Sequence, residues 1–156
     1  MKLKSPTFGD LEYDSKSLIQ LMEGMLGFAQ LKRYLLIEND ELDPFKWLQS
    51  VEDPTVAFPV VSPHRVLPDY RCPLSNEDLS ALQIERTADM VVLAVVVIPD
   101  DVSQSTVNLK APVVINHRQM VGKQIILVDS DYDVRQPLIY HQGAPAGDPS
   151  RLADPQ

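Results

Sequence analysis

The chain has 156 residues, with 22 Asp and Glu against 14 Lys and Arg and a formal net charge of -8 at pH 7. That length suits one domain with a real core, and the acidic balance disfavours nucleic-acid binding, because affinity for phosphates comes from clustered cations. A lone cysteine, Cys72, excludes an internal disulfide and suits a reducing compartment.

The apolar and charged fractions, 44% and 23%, are those of an ordinary soluble globular protein, while 13 prolines announce many turns. The N-terminus has no uninterrupted apolar stretch of the kind a secretory signal needs. The longest apolar run, MVVLAVVVIP, falls far short of the ~20 residues that span a bilayer as a helix. A cytoplasmic protein with no membrane contact is expected.

In chain order, Lys2 to Phe8 reads as a strand, Gly9-Asp10 as a tight turn and Leu11 to Tyr13 as a second strand. Ser17 to Met22 is a short apolar stretch closed by Gly24 and Gly27, and Arg33 to Ile37 reads as a buried strand. Leu18, Leu21, Met22, Met25 and Leu26 also approximate helical spacing, but two glycines argue against a continuous helix. Glu38, Asp40, Glu41 and Asp43 form an acidic loop.

Residues 44–63, PFKWLQSVEDPTVAFPVVSP, hold the only tryptophan and read as a hairpin. Phe45 to Val51 alternates apolar and polar residues, Glu52 to Thr55 is turn chemistry, and Val56 to Val61 is a second apolar run. Phe45, Trp47, Val51, Phe58 and Val60 are its expected buried residues. Pro59 lacks an N–H, so pairing of the second strand along its full length on both sides is not expected.

Pro63, Pro68 and Pro73 punctuate an extended surface connection in which Tyr70, beside Asp69, is an exposed binding candidate. Ser75 followed by Asp78 marks the N-cap of one short helix with Leu79 and Leu82 inside. Met90 to Ile98, rich in β-branched residues, reads as a central strand buried on both faces. Ala111 to Asn116 and Gln124 to Val128 flank a loop, His117 to Lys123, in which Gly122 supplies a positive φ. Asn108 and Asn116 suit the satisfaction of backbone groups. Strands and turns without intervening helices favour an all-β antiparallel sandwich or barrel. The expected domain spans residues 1–140, and residues 141–156, rich in Pro, Gly, Ala and Asp, read as a disordered tail.

Little chemistry is encoded. Asp129, Asp131 and Asp133 have the opening spacing of a calcium loop, but Val134 stands where Gly is needed and Tyr140 where a bidentate Glu is needed. His64, His117 and His141 are scattered, no nucleophile or phosphate-loop signature is present, and no catalytic residue, metal or cofactor is assigned.

FKWLQSVEDPTVAFPVVSP, LAVVVIP, NLKAPVVIN and GKQIIL, with FGDLEYD near the start and DYDVRQPL near residue 138, resemble the bacterial flagellar assembly factor FliW family in order across roughly residues 1–140. Residues 20–28 keep Gly24, Gly27 and Phe28 but have Leu21-Met22 and Met25-Leu26 where the family has Phe-Pro and a second Pro. Pro59 interrupts a run that is normally all apolar.

The resemblance implies a small antiparallel β-barrel-like fold, no enzymatic activity, no cofactor, and two protein partners. These are flagellin and the RNA-binding translational regulator called carbon storage regulator A (CsrA), which the family's factor binds and antagonises when flagellin does not occupy it. A monomer is expected before partner binding. On this reading Glu38, Asp40, Glu41, Asp43, Glu52 and Asp53 contribute an acidic field that disfavours RNA on the regulator, and Asp69 and Tyr70 lie near a contact. The competing readings are a flagellin chaperone alone and a small ligand-binding barrel.

Overall fold

The structure, a computed structural model, describes residues 1–38 and 45–138. The expected acidic residues Asp40, Glu41 and Asp43 and the expected tail, 141–156, lie outside the described residues. The strands are β1 (Lys2–Ser5), β2 (Gly9–Glu12), β3 (Ile19–Leu21), β4 (Arg33–Ile37), β5 (Lys46–Ser50), β6 (Ala57–Val61), β7 (Met90–Val97), β8 (Thr106–Val107), β9 (Val113–Asn116), β10 (Val121–Gln124) and β11 (Gln136–Pro137). One short α-helix, α1 (Asn76–Ala81), joins them among the described residues.

In hydrogen-bonded order the larger sheet runs β11-β8-β7-β6-β5-β4-β3-β10-β9, and β7 also pairs with β9. The strands from β7 to β9 thus close on themselves as a seven-stranded barrel, the all-β, barrel-like fold expected. The β3–β10 pairing is parallel, which the expectation of an antiparallel barrel did not include. Among the described residues no helix is long and apolar enough to cross a membrane.

The chain divides into two compact units, the first made of Met1–Pro59, Leu74–Val91 and Val113–Gln124 and the second of Val60–Pro73, Val92–Pro112 and the chain from Ile125 on. In the first, Gly9 at φ +74 turns β1 into β2, and the register sets Lys2 opposite Glu12 and Lys4 opposite Asp10. β4 and β5 pair antiparallel from Tyr34↔Ser50 to Ile37↔Trp47. The fully buried residues of β5 are Leu48, Gln49 and Ser50, and of the expected set only Val60 is buried; Phe45, Trp47, Val51 and Phe58 are half-buried.

Polar chemistry explains that departure from alternation. Gln49 Nε2 donates to the carbonyls of Ser50 (2.9 Å) and Pro54 (3.0 Å), and its Oε1 accepts from Ser5 Oγ at 2.9 Å. Ser5 Oγ in turn accepts from the backbone N–H groups of Thr7 and Phe8, at 3.1 and 3.0 Å. A buried amide satisfied on both ends ties the β1–β2 turn to the β5–β6 turn, so burial there costs no unpaired polar group.

The β9–β10 hairpin forms, but one turn earlier than expected: β10 is Val121–Gln124 and the positive φ belongs to Met120, at 55°. Gly122 lies inside the strand. A Cβ there would meet Leu21 Cδ2 at 2.7 Å, Ile115 Cγ1 at 3.1 Å and the Val114 carbonyl oxygen at 3.1 Å, so the glycine answers to close approach rather than to turn geometry. Asn116, 1% exposed, accepts from the N–H groups of Arg118 and Gln119 and donates to the carbonyls of Leu82 (2.8 Å) and Gln83 (2.9 Å). It fastens the C-terminal end of α1 to this hairpin. The N-terminal end is capped as expected, with Ser75 Oγ accepting from Asp78 N–H at 3.0 Å, and Asp78 also holds Lys123 Nζ at 2.8 Å.

In the second unit, β6 pairs with β7 at Val60↔Val95 and Val61↔Ala94 only, immediately after Pro59, as its missing N–H requires. Leu93, Ala94 and Val96 are buried but Val97 and Ile98 are exposed, so β7 is buried on both faces only over its middle. Asn108 Oδ1 accepts from the N–H groups of Lys110 and Ala111, turning the chain after β8. Ile125 and Leu127 donate to the carbonyls of Pro112 and Lys110, each at 2.8 Å, which extends the hairpin pattern without β10 itself reaching residue 128.

Candidate protein-binding surface

Of the acidic residues expected to act together, the structure separates those it describes. Glu38 follows the end of β4 and pairs with Lys46 Nζ at 3.7 Å, whereas Glu52 and Asp53 stand in the β5–β6 turn, at the other end of the β4–β5 ladder. With a rise of ~3.4 Å per residue, the four-residue register puts the two ends on the order of 10 Å or more apart. They form no single contact cluster.

Glu52 is occupied locally. Its Oε1 accepts from the backbone N–H groups of Lys32 and Arg33, and its Oε2 lies 3.8 Å from Arg33 Nε. The hydrogen bond from Lys32 N–H, helped by those of Arg33, holds its carboxyl below the usual carboxylate range. Asp53 Oδ1 accepts from Thr55 N–H (3.1 Å) and Thr55 Oγ1 (2.7 Å), while Ser50 Oγ accepts from the N–H groups of Glu52 and Asp53. Both acids therefore build the turn that the sequence encodes.

Tyr70 requires a correction. Expected exposed, it is 3% exposed, with its hydroxyl donating to the Leu109 carbonyl at 2.7 Å and its ring stacked on Tyr132 at 4.6 Å. His64 meets it edge-on at 5.8 Å. Burial pushes its phenol well above the ordinary value. The Pro-rich connection folds back to seat an aromatic anchor, and proline frequency alone gives no sign of that. Asp69 beside it is exposed.

The surface that sequence reasoning missed lies in residues 22–32. Gly24 and Gly27 take φ +67 and +83, Met25 bridges to Phe28, and Leu26 N–H donates to Gln124 Oε1 at 2.8 Å. Around Gly24 the chain packs so closely that a Cβ would stand 2.5 Å from the Phe28 carbonyl oxygen. Met25 is buried, while Leu26 and Phe28 remain 58% and 39% exposed, with Phe28 braced edge-on by Phe58 at 5.3 Å. Two large apolar side chains displayed on a tightly held loop suit protein recognition, since little freedom is left to lose on binding. The spacing of the two glycines around Met25-Leu26 was the available signal.

Among the described residues, no three His, Cys, Asp or Glu side chains come together as a metal site, and Asp129, Asp131 and Asp133 form none.

The model of the family described as FliW protein matches residues 2–138. A flagellar assembly factor FliW of Natranaerobius thermophilus is 40% identical over 147 residues, which are 94% of this chain and 97% of that one. One from Clostridium beijerinckii is 40% identical over 139 residues, 89% of this chain and 99% of its own. A crystal structure of the flagellar assembly factor FliW superposes with a TM-score of 0.84 at 30% identity, covering 91% of this chain and 99% of the other. With a matching family model, 40% identity to full-length relatives and the same fold in a solved member, the chain belongs to the FliW family.

Proposed function

We propose that the protein is a cytoplasmic flagellar assembly factor that acts by binding proteins, not by catalysis: it holds flagellin and, when free of it, binds carbon storage regulator A and relieves repression of flagellin translation. The family match across residues 2–138 carries this reading. The apolar pair Leu26 and Phe28 on a tightly held loop supports a protein contact there.

The acids enter as a field and not as a contact cluster. Glu38, Glu52, Asp53 and Asp69 add to a chain of net charge -8, and such a chain seated beside a basic RNA-binding surface lowers the local potential that draws phosphates in. Tyr70 is withdrawn from the contact and kept as a core anchor.

Sedimentation of the purified protein with flagellin, and separately with the regulator, tests the reading. Complexes with both are expected, with Leu26→Ser weakening at least one by about tenfold, the scale of a modest interface hot spot. Binding to flagellin alone leaves the chaperone reading, and binding to neither overturns the assignment.

A further inference from the structure

β3 and β10 run parallel, with Leu21 opposite Gly122, so both strands finish at the same end of the sheet. β4 starts at that end with Arg33, and β5 finishes there, where Ser50 lies opposite Tyr34. The strand order β10-β3-β4-β5 therefore sets the β3–β4 connection, residues 22–32, between Gln124 at the end of β10 and the β5–β6 turn. All of these elements belong to the first unit.

Each flank reaches over with a side chain that accepts from the loop's backbone. Gln124 Oε1 takes the Leu26 N–H at 2.8 Å, across 98 residues of sequence. Glu52 Oε1 takes the N–H groups of Lys32 and Arg33, where the loop rejoins β4. Within the loop, Phe28 N–H donates to the Met25 carbonyl at 2.7 Å and Leu31 N–H to the Phe28 carbonyl at 3.1 Å, while Leu21 N–H closes the neck on the Lys32 carbonyl at 2.7 Å. Phe58, on the strand that follows the turn of Glu52, braces the Phe28 ring. The ion pair of Glu23 with Lys123, at 3.8 Å and with Glu23 71% exposed, adds little.

A bond to a backbone N–H fixes the course of the chain whatever side chain the residue carries, so these two acceptors act on Leu26 and Phe28 without having to touch a partner. An exposed apolar pair on an unclamped loop has to be ordered at the moment of binding, which lowers affinity. We propose that Gln124 and Glu52 are positioning residues for a recognition loop: they hold Leu26 and Phe28 ready for a partner protein, and affinity through this loop depends on both. This rests on the proposed function, which makes the loop a protein contact. It also gives Glu52 a role separate from the acidic field, because the clamp needs an acceptor atom and not a charge.

The test compares Gln124→Ala, Glu52→Ala, Glu52→Gln and Leu26→Ser with wild type, in affinity for flagellin and for the regulator and in amide exchange across residues 22–33. Asn116→Ala is the stability control, since it disturbs the end of α1 and leaves both clamps in place. Melting curves verify that every variant is folded at the assay temperature. The expected result is that the complex weakened by Leu26→Ser is also weakened about tenfold by Gln124→Ala, with faster exchange at Leu26, and by Glu52→Ala, with faster exchange at Lys32 and Arg33. Glu52→Gln, which keeps the Oε1 acceptor, and Asn116→Ala should stay within twofold of wild type. Equal losses in Glu52→Gln and Glu52→Ala would overturn the positioning role of Glu52 in favour of its charge. If Leu26→Ser weakens a complex and both clamp alanines bind like wild type, the positioning role is overturned and the functional reading stands. If Leu26→Ser weakens neither complex, the loop's place in the functional reading fails and the positioning role fails with it.

Discussion

Gly24→Ala offers a sharp test of the loop that displays Leu26 and Phe28. An alanine there must adopt φ +67, which costs an L-residue about 1–2 kcal/mol. Its Cβ would also stand 2.5 Å from the Phe28 carbonyl oxygen and 2.9 Å from Ala29 Cα. Both are backbone atoms that no rotamer change can move, and overpacking of this kind adds about 1–3 kcal/mol. Gly27→Ala is the natural control, because Gly27 has φ +83 but nothing within 4 Å of the added Cβ, so it bears the conformational cost alone. Urea denaturation of the two variants should therefore place Gly24→Ala about 1–3 kcal/mol below Gly27→Ala, and its loop amides should exchange faster than those of the control. Equal midpoints for the two would refute the claim that close backbone packing holds this loop.

Four further outcomes are expected. Tyr34 is fully buried and its hydroxyl has no hydrogen-bond partner among the described residues, so Tyr34→Phe should be neutral or stabilising, whereas Tyr70→Phe, which removes the bond to Leu109, should cost about 1–2 kcal/mol; a reversed order in urea denaturation contradicts the assignment. Burial, with a smaller contribution from Glu52, pushes the Tyr34 phenol up to about 12, so the folded state favours the neutral form. Stability from this group is complete below the ordinary tyrosine value near ~10 and is lost as pH rises towards 12, which alkaline denaturation of wild type and Tyr34→Phe will compare. Asn116→Ala strands the Leu82 and Gln83 carbonyls and should cost about 2–4 kcal/mol, read from the same denaturation curves. The hydrogen bond from Lys123 holds Asp78 below the usual range, so its contribution is present above the ordinary aspartate value and fades as pH falls through the lowered one; Lys123→Met should flatten that acid limb.

Local patterns made much of the barrel legible. Tyr34–Ile37 is an apolar run bounded by the charged Arg33 and Glu38, Ser75 and Asp78 form an N-cap that needs no tertiary context, and Asp53-Pro54 announces its own turn. What escaped sequence reading depends on partners far along the chain. Gln49 breaks the alternation of β5 because Ser5, 44 residues away, satisfies its amide oxygen. Gly122 is required by Leu21, Ile115 and Val114, not by its own turn. Tyr70 sits in a proline-rich stretch that reads as exposed, yet the Leu109 carbonyl and the Tyr132 ring draw it inside.

The same limit governed the candidate surface. Charge is visible in a sequence, so Glu38, Glu52 and Asp53 stood out, but their common placement was not, and the β4–β5 register sets Glu38 apart from the other two. Leu26 and Phe28 carry no such signal of their own in the sequence, and the loop that turns at Gly24 and Gly27 leaves both exposed.

The most direct test of the central claim is a titration of the protein into carbon storage regulator A prebound to labelled flagellin leader RNA, repeated with flagellin present. The account predicts release of RNA as the protein is added and its return to the regulator as flagellin is supplied. RNA that stays bound at protein concentrations that saturate the regulator, or release that flagellin does not reverse, would contradict it.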